Sequence, residues 1–208
     1  MKNDVHTLPI GRLEANCYIV DCGGGVAAVI DPGDDADVII SRIESMGLHA
    51  AAVLLTHGHF DHVGASGEIA AKYSCPVYIS AIEHKLTPML RRGLCESTCD
   101  ISDGDSIEIG ELTFTVLATP GHSRGSVCYS CGELLFTGDT LFHSACGRMD
   151  LDGGSINDMM ASLCRLAAIP GDRRVLPGHG DDATLERERR ENAAIRSALA
   201  AVRDTERS

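Results

Sequence analysis

Apolar positions along the chain switch between continuous runs and helical spacing, and the switches mark the expected elements. "EANCYIVDC" (14–22) and "VAAVIDPG" (26–33) read as two strands joined by the turn Gly23-Gly24-Gly25. In "DDADVIISRIESMG", Val38, Ile39, Ile40, Ile43 and Met46 recur at helical spacing and Gly47 terminates the run, which predicts an amphipathic helix. "AAVLLT" predicts a short buried strand, "VGASGEIAAKY" a helix and "PVYIS" another strand. A helix is expected over "AIEHKLTPMLRRG" (81–93), then strands over "SIEIG", "LTFTVLATPG" and "SVCYSCGELLFTGD", the last folding back at Gly132. Helices over "SINDMMASLCRLAAI" and the charged "ATLERERRENAAIRSALAAVRD" flank a strand, "RRVLPG". Two blocks of strands, each with helices attached, predict an α+β protein with two mixed sheets packed together and helices outside. No linker or low-complexity tract interrupts the 208 residues, so one domain over 1–208 is expected.

Composition narrows the partners. A formal net charge of −12 and a pI near 5.1 disfavour a nucleic-acid partner, because phosphate backbones are repelled unless basic residues gather on one face. No apolar stretch approaches the roughly 20 residues that span a bilayer. The start "MKNDVHTLPIG" lacks the apolar core of a signal peptide, so a cytoplasmic protein with reduced cysteines is expected. Nine cysteines then read mostly as small core residues. Cys128–Cys131 and Cys95–Cys99 are spaced like metal ligands, but one Cys-x-x-Cys and one Cys-x-x-x-Cys make a weak zinc signal.

"LLTHGHFDHVGA" (54–65) changes the picture. His57, His59, Asp61 and His62 fall within six positions directly after an apolar run, where loops of α/β proteins carry their site residues. In an extended segment His57 and His59 point the same way, while Asp61 and His62 lie further along the turn. Such a set suits two adjacent metal ions better than one. Three more donors stand at strand ends, each after a glycine: His122 in "ATPGHSRGS", Asp139 in "LLFTGDTLF" and His179 in "RVLPGHGD". His6, His49 and His84 lack that setting, and His143 lies only four residues past Asp139.

"THGHFDH", "PGHSRGS", "FTGDTLF" and "LPGHG", in this order, resemble the metallo-β-lactamase superfamily, and the resemblance begins at "NCYIVD…VIDPG" (Asn16 to Gly33). It implies an αββα sandwich with the metals in a cleft at the sheet edges. It also implies that His57, His59 and His122 hold one metal, that Asp61, His62 and His179 hold the second, and that Asp139 bridges both. "GDTLFHSACGRMDLDGGS" and "RERREN" are similar to hydroxyacylglutathione hydrolases (glyoxalase II) and their short bacterial relatives, although alanine follows Asn192 where proline is common. The longer enzymes carry a helical substrate domain, whereas about 30 residues follow His179 here, so no separate C-terminal domain is expected. Arg148 matches a basic position of that family and is expected, with His143, near the substrate; Asp150 stands where the longer enzymes have an aromatic residue.

The chemistry expected is hydrolysis of an acyl-thiol or ester substrate, most readily a thioester. Two divalent ions, zinc first and iron or manganese as alternatives, would acidify a bridging water, with Asp61 orienting the resulting hydroxide. A thiol with a pKa near roughly 8.5 leaves without a general acid, whereas an amine would need a proton donor. A persulfide dioxygenase with one iron and a lactonase are the alternatives, ahead of a nuclease or a non-enzymatic metal protein. Asp31 is expected to support a ligand or merely to make a turn; Ser123 and Ser126 are not expected as nucleophiles, and "ERERREN" reads as a solvated helix face.

Overall fold

The computed structural model describes residues 4–205, and its two main sheets have six strands each. The first runs β1 (Val5–Ile10), β2 (Ala15–Asp21), β3 (Val26–Ile30), β4 (His49–Leu54), β5 (Val77–Ile79) and β6 (Cys99–Asp100), in that spatial order. β1, β2 and β3 are antiparallel, and β3 through β6 are parallel. The second sheet contains β7 (Ser106–Ile109), β8 (Leu112–Ala118), β9 (Val127–Cys131), β10 (Leu134–Gly138), β13 (Arg174–Pro177) and β14 (Ala183–Thr184), ordered β14-β13-β10-β9-β8-β7. A small hairpin, β11 (Leu141–Phe142) with β12 (Ala145–Cys146), follows β10. Helices are α1 (Ala36–Ser45), α2 (Phe60–Val63), α3 (Ser66–Tyr73), α4 (Ile156–Ala167), α5 (Leu185–Glu191) and α6 (Ala193–Thr205).

Strand alternation decides which side chain enters which layer. In β2, Tyr18 and Val20 face the second sheet, where they join Phe114, Val116, Tyr129 and Phe136, while Cys17 and Ile19 face Ile39, Ile43 and Ile69 of α1 and α3. On the far side, Cys128, Leu135 and Val175 meet Met159, Leu163, Leu166 and Ile195 of α4 and α6. The result is helix, sheet, sheet, helix: the αββα sandwich. β9 also disposes of the Cys-x-x-Cys signal, because Cys128 points to the helices and Cys131 into the inter-sheet layer, so one ion cannot take both.

Two helical expectations are corrected. Over 81–93 only the 3-10 turn Glu83–Lys85 forms. Pro88 bars the preceding residue from helical backbone, and Glu83 is drawn inward by hydrogen bonds described below. The C-terminal helix is broken at Asn192, whose extended backbone ends α5 and whose Oδ1 accepts the Ala194 and Ile195 N–H groups that open α6. Ala193 thus occupies a first helical position, where proline fits equally well. The "ERERREN" run is not merely solvated. Glu188 is fully buried and accepts from Ser144 N (2.8 Å) and Asn192 Nδ2 (2.8 Å), and Arg189 donates to the carbonyls of Ala167, the last residue of α4, and of Ile169 and Gly171 just beyond it.

Candidate metal centre

Strand ends on one edge of the sandwich carry the polar cluster. Leaving β4, Thr56 is fixed by Asp31 at the end of β3: Asp31 accepts from Thr56 N (2.7 Å), Thr56 Oγ1 (2.6 Å) and His62 Nδ1 (3.1 Å). Asp31 holds a left-handed backbone (φ 49°), a cost tolerated because its carboxylate organises three groups at once. It lies close enough to His57 and His62 to be counted as a donor, but its oxygens are already engaged, so it orients ligands rather than acting as one. His62 Nε2 is thereby aimed at Asp139 Oδ1 (3.5 Å) and Asp61 Oδ2 (3.7 Å).

The other loops converge on the same point. His122 is held by its Nδ1 contact to the Arg148 carbonyl (2.8 Å), which leaves Nε2 facing His59 Nδ1 (2.8 Å) and Asp139 Oδ2 (3.5 Å). His179 follows β13, where Asn16 donates to the carbonyls of Pro177 and Gly180 and pins the turn. Its Nδ1 meets the Leu13 carbonyl, and its Nε2 stands 3.4 Å from Asp61 Oδ2 and 3.8 Å from Asp139 Oδ2. His57, His59 and His122 therefore form one trio of donors, and Asp61, His62 and His179 a second, each within 4.8 Å. Asp139 reaches both through its two oxygens. Close packing explains two of the glycines: a Cβ at Gly178 would stand 2.2 Å from Asp139 Oδ1, and Gly138 (φ 45°) passes Thr56 too closely for any side chain.

The charges divide the trios. Burial, with the other histidines, pushes His57 well below the ordinary imidazole range and His59 down to about 4; burial also lowers His122. Burial opposes protonation of His62 too, but Asp139, Asp31 and Asp61 prevail and raise it to about 9. His179 is likewise raised against burial, by the Asp61 hydrogen bond and Asp139. Asp61, although partly buried, is lowered to about 2 by His179 and His62. Buried His57 Nε2, His59 Nε2, His62 Nε2 and Asp139 Oδ1 have no hydrogen-bond partner. An orphaned buried polar atom costs about 1–3 kcal/mol, and four orphans among these clustered donors fit cations as the missing partners.

The metallo-beta-lactamase superfamily model matches residues 10–179. The chain belongs to this superfamily. Its αββα architecture is shared with the B3 metallo-beta-lactamase BLEG-1, at TM-score 0.86 and 32% identity, covering 92% of this chain and 99% of that one. TTHA1623 in a di-iron-bound form matches at TM-score 0.81 and 34% identity, over 91% and 99% of the two chains. Hydroxyacylglutathione hydrolase GloC of Haemophilus influenzae is 29% identical over 93% of this chain and 99% of its own.

Around these clustered side chains lies a cleft of about 460 Å³, walled by Leu13, Phe60, Leu90, Phe142 and Leu151. Arg148 lines it, and the carboxylate it meets is the chain's own: Asp150 grips its guanidinium at 2.7 and 2.8 Å. His143 does not join the cleft; its ring meets Arg187 of α5. His6, His49 and His84 also lie elsewhere, against Arg42, Tyr73 and Thr98.

One organising residue escaped the sequence reading. Glu83, fully buried, accepts from Gly58 N (2.6 Å) through one oxygen and from Ser123 Oγ (2.9 Å) and Gly125 N (2.7 Å) through the other. It ties the His57–His59 loop to the His122 loop and engages Ser123, a serine not expected to act as a nucleophile. No local pattern marks it; only the glycines at 58 and 125, each too close to Glu83 for an easy Cβ, hint at it.

Proposed function

We propose that this metal-dependent hydrolase cleaves thioesters, in the manner of a hydroxyacylglutathione hydrolase, with His57, His59, His122, Asp61, His62, His179 and Asp139 as ligands to two divalent ions, zinc first. The cleft lining carries the proposal. Apart from His59, Asp61, His122, Asp139 and His179 it offers leucines, phenylalanines and Arg148, and a guanidinium does not give up its proton. With those histidines holding metal, no other side chain lining the cleft can protonate a departing amine. A thiolate leaves unaided, which favours C–S cleavage over C–N cleavage. Likeness to GloC agrees with this, and the di-iron TTHA1623 agrees with a two-metal set that iron also satisfies.

Divalent ions bound there supply Lewis acidity that lowers the pKa of water and polarises an acyl carbonyl. The chain's own groups do the rest. Asp61, lowered to about 2, stays ionised at any working pH and is available to accept a hydrogen bond from the attacking water. The water oxygen adds to the acyl carbon and its protons pass to solvent, the C–S bond breaks with its electron pair on sulfur, and a carboxylate and a thiolate leave. Asp31 and Glu83 hold the ligand loops in register, while Leu13, Phe60 and Phe142 shield the reacting carbonyl from bulk solvent.

The deciding experiment is steady-state hydrolysis of S-lactoylglutathione by zinc-loaded protein beside Asp139→Ala. Turnover lost together with metal content in the variant is expected. Fully metal-loaded protein that spares thioesters but opens nitrocefin, or consumes oxygen with glutathione persulfide, would refute the thioesterase reading.

A further inference from the structure

Beside the cleft lies a second cavity of about 280 Å³, separated from it by a wall that both share: Leu13, Phe60 and Asp61. Two arginines from distant parts of the sequence line it. Arg12 stands in the β1–β2 turn, and Arg92 stands in the segment after the 3-10 turn with its guanidinium 5.7 Å over the Phe60 ring. Both are exposed, and neither has a carboxylate partner among the described residues, although Arg148, Arg165, Arg174, Arg187 and Arg190 all have one. Arg42, Arg91, Arg124, Arg173, Arg189 and Arg196 also lack a carboxylate partner among the described residues, so what sets Arg12 and Arg92 apart is that they share one concave surface beside the cleft, in a chain of net charge −12. The one other carboxylate on the wall besides Asp61 is Asp34, which accepts the Asp35 N–H. Position links this cavity to the chemistry, because the Leu13 carbonyl next to Arg12 receives His179, and Phe60 beneath Arg92 immediately precedes Asp61.

We propose that this cavity is a subsite for the anionic end of the leaving thiol, with Arg12 and Arg92 binding a carboxylate or phosphate of the carrier while the acyl carbon lies in the cleft. The assignment rests on the thioesterase reading and makes it more specific: the substrate is a thioester of an anionic carrier. Within the cleft itself Arg148 is neutralised by Asp150, so the cations left to meet such an anion lie across the Leu13–Phe60 wall. Guanidinium groups suit either acid, because both present paired oxygens to the planar N–H fork.

Two substrate pairs separate the two sources of charge. S-lactoylglutathione is compared with its dimethyl ester, and acetyl-coenzyme A with S-acetyl-N-acetylcysteamine, for wild type, R12Q/R92Q and R190Q, a remote variant that removes one exposed arginine charge. The kcat/KM preference of wild type for the anionic member of a pair is expected to fall about tenfold in R12Q/R92Q, chiefly through KM, and to persist in R190Q. It should also shrink between about 20 and 500 mM NaCl. Loss confined to the glutathione pair assigns carboxylate, and loss confined to the coenzyme A pair assigns phosphate. Titration calorimetry with S-methylglutathione and desulfo-coenzyme A on metal-free protein reads the same subsite without catalysis. Equal binding by wild type and R12Q/R92Q would overturn the subsite even if thioesters are cleaved. Absence of all thioester turnover alongside arginine-dependent binding would instead overturn the thioesterase reading.

Discussion

Replacing Glu83 by glutamine tests whether one buried carboxylate really joins the two histidine loops. The side chain keeps its shape, but its two oxygens become one oxygen and one NH2. The better orientation leaves the carbonyl oxygen on Ser123 and Gly125, which hold two of the three bonds, and turns the NH2 against the Gly58 N–H, formerly 2.6 Å from Oε2. A charge-assisted hydrogen bond worth about 1.5–3 kcal/mol is lost, and Gly58 N–H is left facing another donor. Against this, burial already raises the pKa of Glu83, so a neutral group recovers part of the cost of holding a charge there. The net expectation is about 2 kcal/mol of destabilisation, and more for Glu83→Ala, which strands all three donors and opens a cavity. In urea unfolding of the metal-free protein, with a slope near 2 kcal/mol/M, that is a midpoint lowered by about 1 M at unchanged slope. Metal affinity of the His57–His59–His122 trio should fall with it, and Ser123→Ala should couple to Glu83→Gln in a double-mutant cycle. A midpoint shift below about 0.2 M, or equal losses for Gln and Ala, would show that the carboxylate does not clamp the loops.

Gly178→Ala puts a methyl group 2.2 Å from Asp139 Oδ1 and 2.8 Å from His62 Cε1, so the purified variant should hold fewer than two metal equivalents by elemental analysis while keeping its circular dichroism; full loading would contradict the close approach. Metal uptake should depend on pH unequally. His62 at about 9 is protonated at neutral pH before metal binds, so each unit below 9 costs its trio about tenfold in affinity, while the trio containing His59 at about 4 is little affected. Competitive zinc titrations at pH 8 and pH 6 should therefore show a fall of roughly 100-fold or more for one site alone, since His179 of the same trio is raised as well, and parallel falls would count against the charge division. Among the thiols, burial pushes Cys128 up to about 12 and Cys17 well above the ordinary range, while Cys99 is exposed; native labelling at pH 8 should mark Cys99 first and leave Cys17 and Cys128 unmodified.

The layers were legible because strand and helix periods differ, and β2, β3, β4, β9 and β10 are too apolar to be anything but buried strands. Ligand candidates were legible for a related reason: histidine and aspartate just past the ends of such strands, four of the seven directly after a glycine, have no core role to play. What failed to show was whatever depends on a distant partner. β1 is half-polar and exists through its pairing with β2. The expected helix at 81–93 gives way because Glu83 bonds to residues 25 to 42 positions away, a benefit that no local propensity contains. His143 seemed near the site by its distance along the chain from Asp139, yet the β11–β12 hairpin turns it toward α5. Asn192 looked like one more helix residue, and its role as the start of α6 depends on carbonyls at 142 and 145.

The seven clustered side chains come from segments spread between residues 57 and 179 and from both sheets. No stretch of the unfolded chain holds more than four of them together, and the closure that gathers the rest is the docking of one sheet on the other. A transition state in which the sheets are not yet docked has little more affinity for zinc than the coil. Zinc added to refolding protein should then leave the folding rate nearly untouched and slow unfolding instead, so that the ions act as a latch on a sandwich that assembles without them.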